Sequence, residues 1–116
     1  MPFDALVANA GRLRILTTLA SSGEQEFVHL RAATRLSDGN LATHAKRLQA
    51  AGLIAIHKEF RAGKPVTRFA LNAEGRAALE LHARQLLNAI GAPTAPDAER
   101  AVSAVTAVTR EEEWVD

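Results

Sequence analysis

Apolar positions recur at helical spacing from the first residues of the chain. Phe3, Leu6 and Val7 begin the run, and Leu13, Ile15, Leu16, Leu19 and Ala20 continue it on more than one side, which predicts a central, largely buried helix. Asn9 and Gly11 interrupt the run, and Asn9 suits the N-cap of a second helix from about residue 10 to residue 21, closed by Ser22-Gly23. Glu26 to Arg35 reads as a short helix with Phe27, Leu30 and Thr34 on one side. A tight turn follows at Leu36-Ser37-Asp38-Gly39-Asn40. There Ser37 is a good N-cap, and Asp38 suits the positive end of a helix dipole. That next helix is predicted to run to Ala51, with Gly52 in the left-handed position beyond it.

The period then changes. Leu53 to Lys58 reads as a strand with Ile54 and Ile56 turned inward, Arg61-Ala62-Gly63-Lys64-Pro65 as a loop, and Thr67, Phe69 and Leu71 as the returning strand. A lone hairpin is marginal in water, so this one must pack on the helices. Asn72-Ala73-Glu74-Gly75 opens the longest helix, to about Ile90, with Leu79, His82, Leu86 and Ile90 (or Leu87) along one stripe. Gly91 to Pro96 is the one linker-like stretch; after it come an Ala/Val segment from Ala98 to Thr109 and the acidic Glu111-Glu112-Glu113. The expected division is a module over residues 1–90 and a linker plus C-terminal segment, helix or tail, over 91–116.

Helix, helix, helix, hairpin, helix is the order of a winged helix-turn-helix: mainly α with a small β-hairpin, and with a C-terminal helix available for dimerisation. The decisive element is the helix after Ser37. Wound at about 100° per residue, Leu41, Ala45, Leu48 and Gly52 fall in one narrow seam. The opposite arc holds Gly39, Thr43, Lys46 and Ala50, flanked by Asn40 and Arg47, with His44 nearer the edge of the seam. A helix lying in a major groove needs such an arc. Lys46 or Arg47 suits guanine O6/N7, Asn40 suits adenine, and Thr43 suits a thymine methyl or a phosphate. Gly39, in the first turn, leaves the free backbone N–H groups open to an anion.

Charge strengthens this picture. The net charge is only +1. Residues 1–71, however, hold ten lysines and arginines against five acids, while residues 72–116 hold four against eight. Within 41–68 there are six bases and one acid, Glu59. Lys58, Arg61, Lys64 and Arg68 lie on or beside the hairpin loop, where a wing would meet backbone or minor groove. The predicted interface is therefore Ser37, Gly39, Asn40, Thr43, His44, Lys46 and Arg47 with these four wing cations.

The string Leu36-Ser37-Asp38-Gly39-Asn40-Leu41, with His44, Leu48 and Ala51-Gly52-Leu53-Ile54, followed by Lys58, Phe60, Pro65, Thr67, Leu71 and Gly75-Arg76-Ala77, resembles a short winged-helix family. That family belongs to the MarR- and ArsR-like bacterial and archaeal transcriptional regulators. Arg12-Leu13-Arg14-Ile15-Leu16 with Leu19 is similar to the family's first core helix, so the likeness spans about residues 5–85. It departs at Ala45, where a larger apolar residue is usual. The resemblance implies sequence-specific binding of double-stranded DNA as a homodimer, with Ser37 to Arg47 in the major groove and residues 58–68 as the wing. Paired half-sites, as in a palindromic operator, need a two-fold partner. The expected dimer surface is the helix over 72–90, through Leu79, His82, Leu86, Leu87 and Ile90, together with the Ala/Val segment. The alternative is that this stripe covers the monomer's own core.

Other chemistries find little support. No cysteine is present, which excludes disulfides and thiolate metal sites. The four histidines, His29, His44, His57 and His82, form no ligand spacing, so no metal or other cofactor is expected. No nucleophile elbow, phosphate loop or zinc-protease motif occurs, so no enzyme is expected. No basic-then-apolar leader and no apolar run long enough to span a bilayer is visible, which points to a cytoplasmic protein without a membrane partner. Phe3, Phe27, Phe60, Phe69 and Trp114 outline no effector pocket. The competing function is a winged-helix protein-interaction module that does not touch DNA.

Overall fold

The computed structural model describes residues 4–91. Eight elements follow in order: α1 (Ala5–Ala8), α2 (Ala10–Ser22), β1 (Gln25–Glu26), α3 (Phe27–Thr34), α4 (Asp38–Ala50), β2 (Ile54–Arg61), β3 (Lys64–Leu71) and α5 (Ala73–Ala89). Phe3, the linker-like stretch beyond Gly91, the Ala/Val segment and the acidic end lie outside the described residues.

The caps fall where the side chains dictate. The Asn9 carboxamide oxygen accepts the Arg12 N–H at 3.1 Å, separating α1 from α2. Gly11 does not break the run; it sits in the first turn of α2. Ser37 Oγ accepts the Asn40 N–H at 3.1 Å and starts α4. At the far end Gly52, with φ of 79°, donates its N–H to the Gln49 carbonyl, and the Leu53 N–H reaches the Leu48 carbonyl at 3.0 Å. These are the paired bonds of a Schellman motif, which aims the chain from α4 into β2.

The sheet corrects the expected two-stranded hairpin. It has three antiparallel strands in the order β1-β3-β2, because Gln25 and Glu26 pair with Phe69 and Arg68 on β3. A two-residue strand has no period to detect. The wing also reaches further than expected. The loop is only Ala62-Gly63, with φ of 53° and 77°, so Arg61 pairs with Lys64 in the ladder. Two successive positive φ values match the primed turns whose twist suits a hairpin.

One core joins the elements. Ile15, Leu16 and Leu19 of α2, Leu30 of α3, Leu41, Ala45 and Leu48 of α4, and Ile54 and Phe69 of the sheet are buried in a single cluster. The rings of Phe27 and Phe69 meet at 6.0 Å between centroids, tilted by 41°. The α4 seam is therefore as expected at Leu41, Ala45 and Leu48, whereas Gly52, which the spacing also placed there, lies beyond the helix at positive φ and is exposed.

Gly75 locks α5 onto the turn between α4 and β2. A Cβ there would collide with the Leu53 carbonyl, the same oxygen that accepts the Asn72 N–H at 3.0 Å. Gly75→Ala is expected to lower the stability of the fold by about 1–3 kcal/mol. Urea unfolding should show a lower midpoint with unchanged slope, and an unaltered midpoint would mean that α5 can shift away without cost.

Candidate nucleic-acid interface

With Leu41, Ala45 and Leu48 buried, α4 has one free side. Ser37, Gly39, Asn40, Thr43, Lys46, Arg47 and Gln49 are all exposed there, and no large apolar residue interrupts them. Among the described residues, neither Lys46 nor Arg47 has a carboxylate partner. Gln49 is not among the contact residues expected from the sequence, since winding at about 100° per residue places it beside the seam. In the fold it flanks a cleft of about 620 Å³ between α4 and the wing, with Lys46, Lys58 and Ala45 among its walls. The small side chain at Ala45 is part of what leaves this cleft open.

His44 points elsewhere. It is half-buried against the start of α2, and Arg12 Nη1 donates to its Nδ1 at 3.2 Å. Arg12 itself is buried. Its Nε donates to the Leu6 carbonyl at 2.6 Å and its Nη2 to the Ala5 carbonyl at 3.3 Å. The guanidinium thus takes up orphan carbonyls near the end of α1 and holds the flank of α4 with its remaining hydrogen bond. Because a guanidinium only donates, the imidazole must accept at Nδ1 and carry its proton on Nε2. Gly11 makes the approach possible, since a Cβ there would lie 2.9 Å from His44 Nε2. Burial, then the neighbouring charges of Arg12 and Arg47, depresses the His44 pKa. Its place is thus beside the exposed arc, packed on the start of α2. The role of Arg12 was invisible in the sequence, where it read as one position of a core helix.

The wing has two chemically different faces. Ladder register puts Ile54, Ile56, Lys58 and Phe60 on the same face as Leu71, Phe69, Thr67 and Pro65. The other face carries His57, Glu59 and Arg61 opposite Arg68, Val66 and Lys64. There the two arginines are occupied. Arg61 donates to Glu26 at 3.0 Å, and Arg68 lies 3.4 Å from Glu24, 3.5 Å from Glu26 and 3.6 Å from Glu59. The hydrogen bond from Arg61 is the main cause of a lowered Glu26 pKa. Three carboxylates around two guanidiniums leave no positive surplus. The wing's unpaired cations among the described residues are Lys58 and Lys64.

The remaining predicted positions divide in the same way. On α5, His82 and Leu87 are buried and Leu79 packs on the core within one protomer, whereas Leu86 and Ile90 are exposed. The histidines sit on four different elements, and no group of three or more His, Asp or Glu side chains converges on a metal-sized site among the described residues. No described helix is long and apolar enough to cross a membrane.

A helix-turn-helix with a capped second helix, followed by a wing and a closing helix, defines a winged helix DNA-binding protein. Residues 12–90 match the family model described as a winged helix DNA-binding domain, and the chain belongs to that family. An uncharacterised protein of Methanocaldococcus jannaschii is 30% identical over 76 residues, covering 66% of this chain and 83% of its own length. Among solved structures, a transcriptional regulator homologue from Pyrococcus horikoshii superposes with a TM-score of 0.68 at 25% identity, over 73% of this chain and 84% of that one. A MarR family transcriptional regulator from Streptomyces coelicolor shares the fold with a TM-score of 0.53 at 19% identity, over 92% of this chain and 75% of that one. The chain thus carries a winged helix DNA-binding domain, and its fold is shared with a MarR family protein.

The depressed His44 pKa has a consequence for stability. The fold favours the neutral ring, so the unfolded chain takes up the proton first as pH falls. The contribution is complete above the ordinary imidazole range and is lost as pH drops through it toward the depressed folded value. Urea midpoints measured between about pH 8 and pH 5 should fall more steeply for wild type than for His44→Gln. Equal slopes would remove His44 from the pH response.

Proposed function

We propose that this regulator reads a specific duplex sequence as a homodimer on a palindromic operator. In each protomer α4 lies in the major groove, and the wing lies on the neighbouring backbone or minor groove. The observation that carries this is the exposed arc of α4, where Asn40, Thr43, Lys46 and Arg47 stand without acidic partners among the described residues while the opposite seam is buried. Ser37 and Gly39 at the capped start of α4 offer phosphate contacts, and Lys58 and Lys64 supply the wing's attraction to the backbone. Arg61 and Arg68 serve the sheet instead, holding the wing to β1.

Dimerisation is supported by α5. Leu86 is 42% and Ile90 78% exposed on the edge that Leu79 begins, so the apolar stripe continues past the protomer's own core. A single module reads too few bases to select one site, and a two-fold partner doubles the contacts.

Selection from random duplex DNA is the direct test, and a palindromic consensus is the expected outcome. With that duplex, Arg47→Ala should weaken binding by about 1–3 kcal/mol and relax base preference at one position of each half-site. Lys64→Ala should instead weaken all duplexes alike and make the log–log salt slope shallower by about 0.9 per protomer. Enrichment of no sequence would favour the protein-interaction module.

For the interface between copies, Leu86→Glu combined with Ile90→Glu should yield a monomer in sedimentation velocity and reduce operator affinity. A dimer that survives both changes would place the two-fold contact elsewhere.

A further inference from the structure

Phe60 has no role in the fold or in the contacts assigned so far. It lies on β2 two residues beyond Lys58, pairs across the ladder with Pro65, and is 77% exposed. The same sheet face carries Ile54 and Phe69, which are buried in the core. Its apolar character therefore continues past the point where the body of the protein ends. The opposite face at the same height carries Glu59, Arg61 and Lys64 and is polar. The wing tip thus has one apolar edge, on the face where Lys58 and Thr67 border the cleft beside α4. Lys58 lies on that face and Lys64 on the opposite face, next to Pro65, both without ion-pair partners among the described residues.

We propose that Phe60, backed by Pro65, is a wedge that enters the minor groove beside the half-site read by α4 and partly unstacks one base step. The proposal rests on the DNA-binding function above and adds a position of sequence preference to it. Charge complementarity selects the occupant. Lys58 on the ring's own face and Lys64 next to Pro65 have no ion-pair partner among the described residues, so a second wing would be repelled, whereas a polyanion is drawn in. Phosphates offer a phenyl ring nothing, but the space between two bases offers it a stacking surface. Unstacking costs least at pyrimidine–purine steps, so Phe60 should favour TA or CA at a point that no polar side chain reads.

The test uses the full chain and the duplex it selects, with 2-aminopurine at the flanking flexible step and dyes at the two ends. Wild type is expected to raise the 2-aminopurine fluorescence and shorten the end-to-end distance. Phe60→Ala, exposed enough to leave the melting temperature unchanged, should bind about tenfold or more weakly, lose both signals and keep the wild-type salt slope. Phe60→Leu, which retains an apolar wedge, should recover part of each signal. The wedge is overturned if Phe60→Ala matches wild type in affinity and fluorescence, or if wild type binds without unstacking the step. It is also overturned if Phe60→Ala changes only self-association in sedimentation, which would make the ring a contact between copies. A wild type that selects no duplex would overturn the DNA-binding function, and the wedge with it.

Discussion

Burial of the seam formed by Leu41, Ala45 and Leu48, in one cluster with Ile15, Leu16 and Leu19, decides which side of α4 meets solvent. Each buried leucine contributes about 1.5–3 kcal/mol, more than any surface ion pair in the molecule. Rotating α4 to hide its polar arc would expose that seam and bury Lys46 and Arg47 without partners. Burial of an unpaired charge is so costly that the orientation has no close competitor. The Ser37 cap and the Schellman turn at Gly52 then fix the ends, so the arc is presented as a rigid unit.

The second organising feature is the unequal use of cations. Arg12 is spent inside the body, where it joins the α1 carbonyls to His44. Arg61 and Arg68 are spent on the sheet, where Glu24, Glu26 and Glu59 surround them. Of the cations on α4 and the wing, Lys46, Arg47, Lys58 and Lys64 have no ion-pair partner among the described residues. A basic count over residues 41–68 therefore overstates the unpaired positive charge of α4 and the wing. Half-exposed pairs of this kind add little to global stability, but they hold a projecting hairpin in one attitude.

Much of this was legible in the linear chain. The periods that define α2, α4 and α5, the caps at Asn9 and Ser37, and the Gly52 exit follow from local rules and appear in the structure almost residue for residue. So does the α4 seam. Three features were not legible. β1 is too short to carry a period, the wing turn uses an alanine at positive φ that its identity does not advertise, and Gly11 serves a distant imidazole rather than a helix break.

The sequence by itself determined the order of the helices and the hairpin, the winged helix plan and the composition of the α4 arc, because caps and hydrophobic periods act within a few residues. Only the tertiary structure decided which charges remain free, which α5 side chains a protomer covers itself, and where His44 and Phe60 point. Those outcomes depend on partners far away in the chain. Glu26 lies 35 residues from Arg61, and Arg12 lies 32 from His44. No local pattern encodes an encounter that packing alone creates.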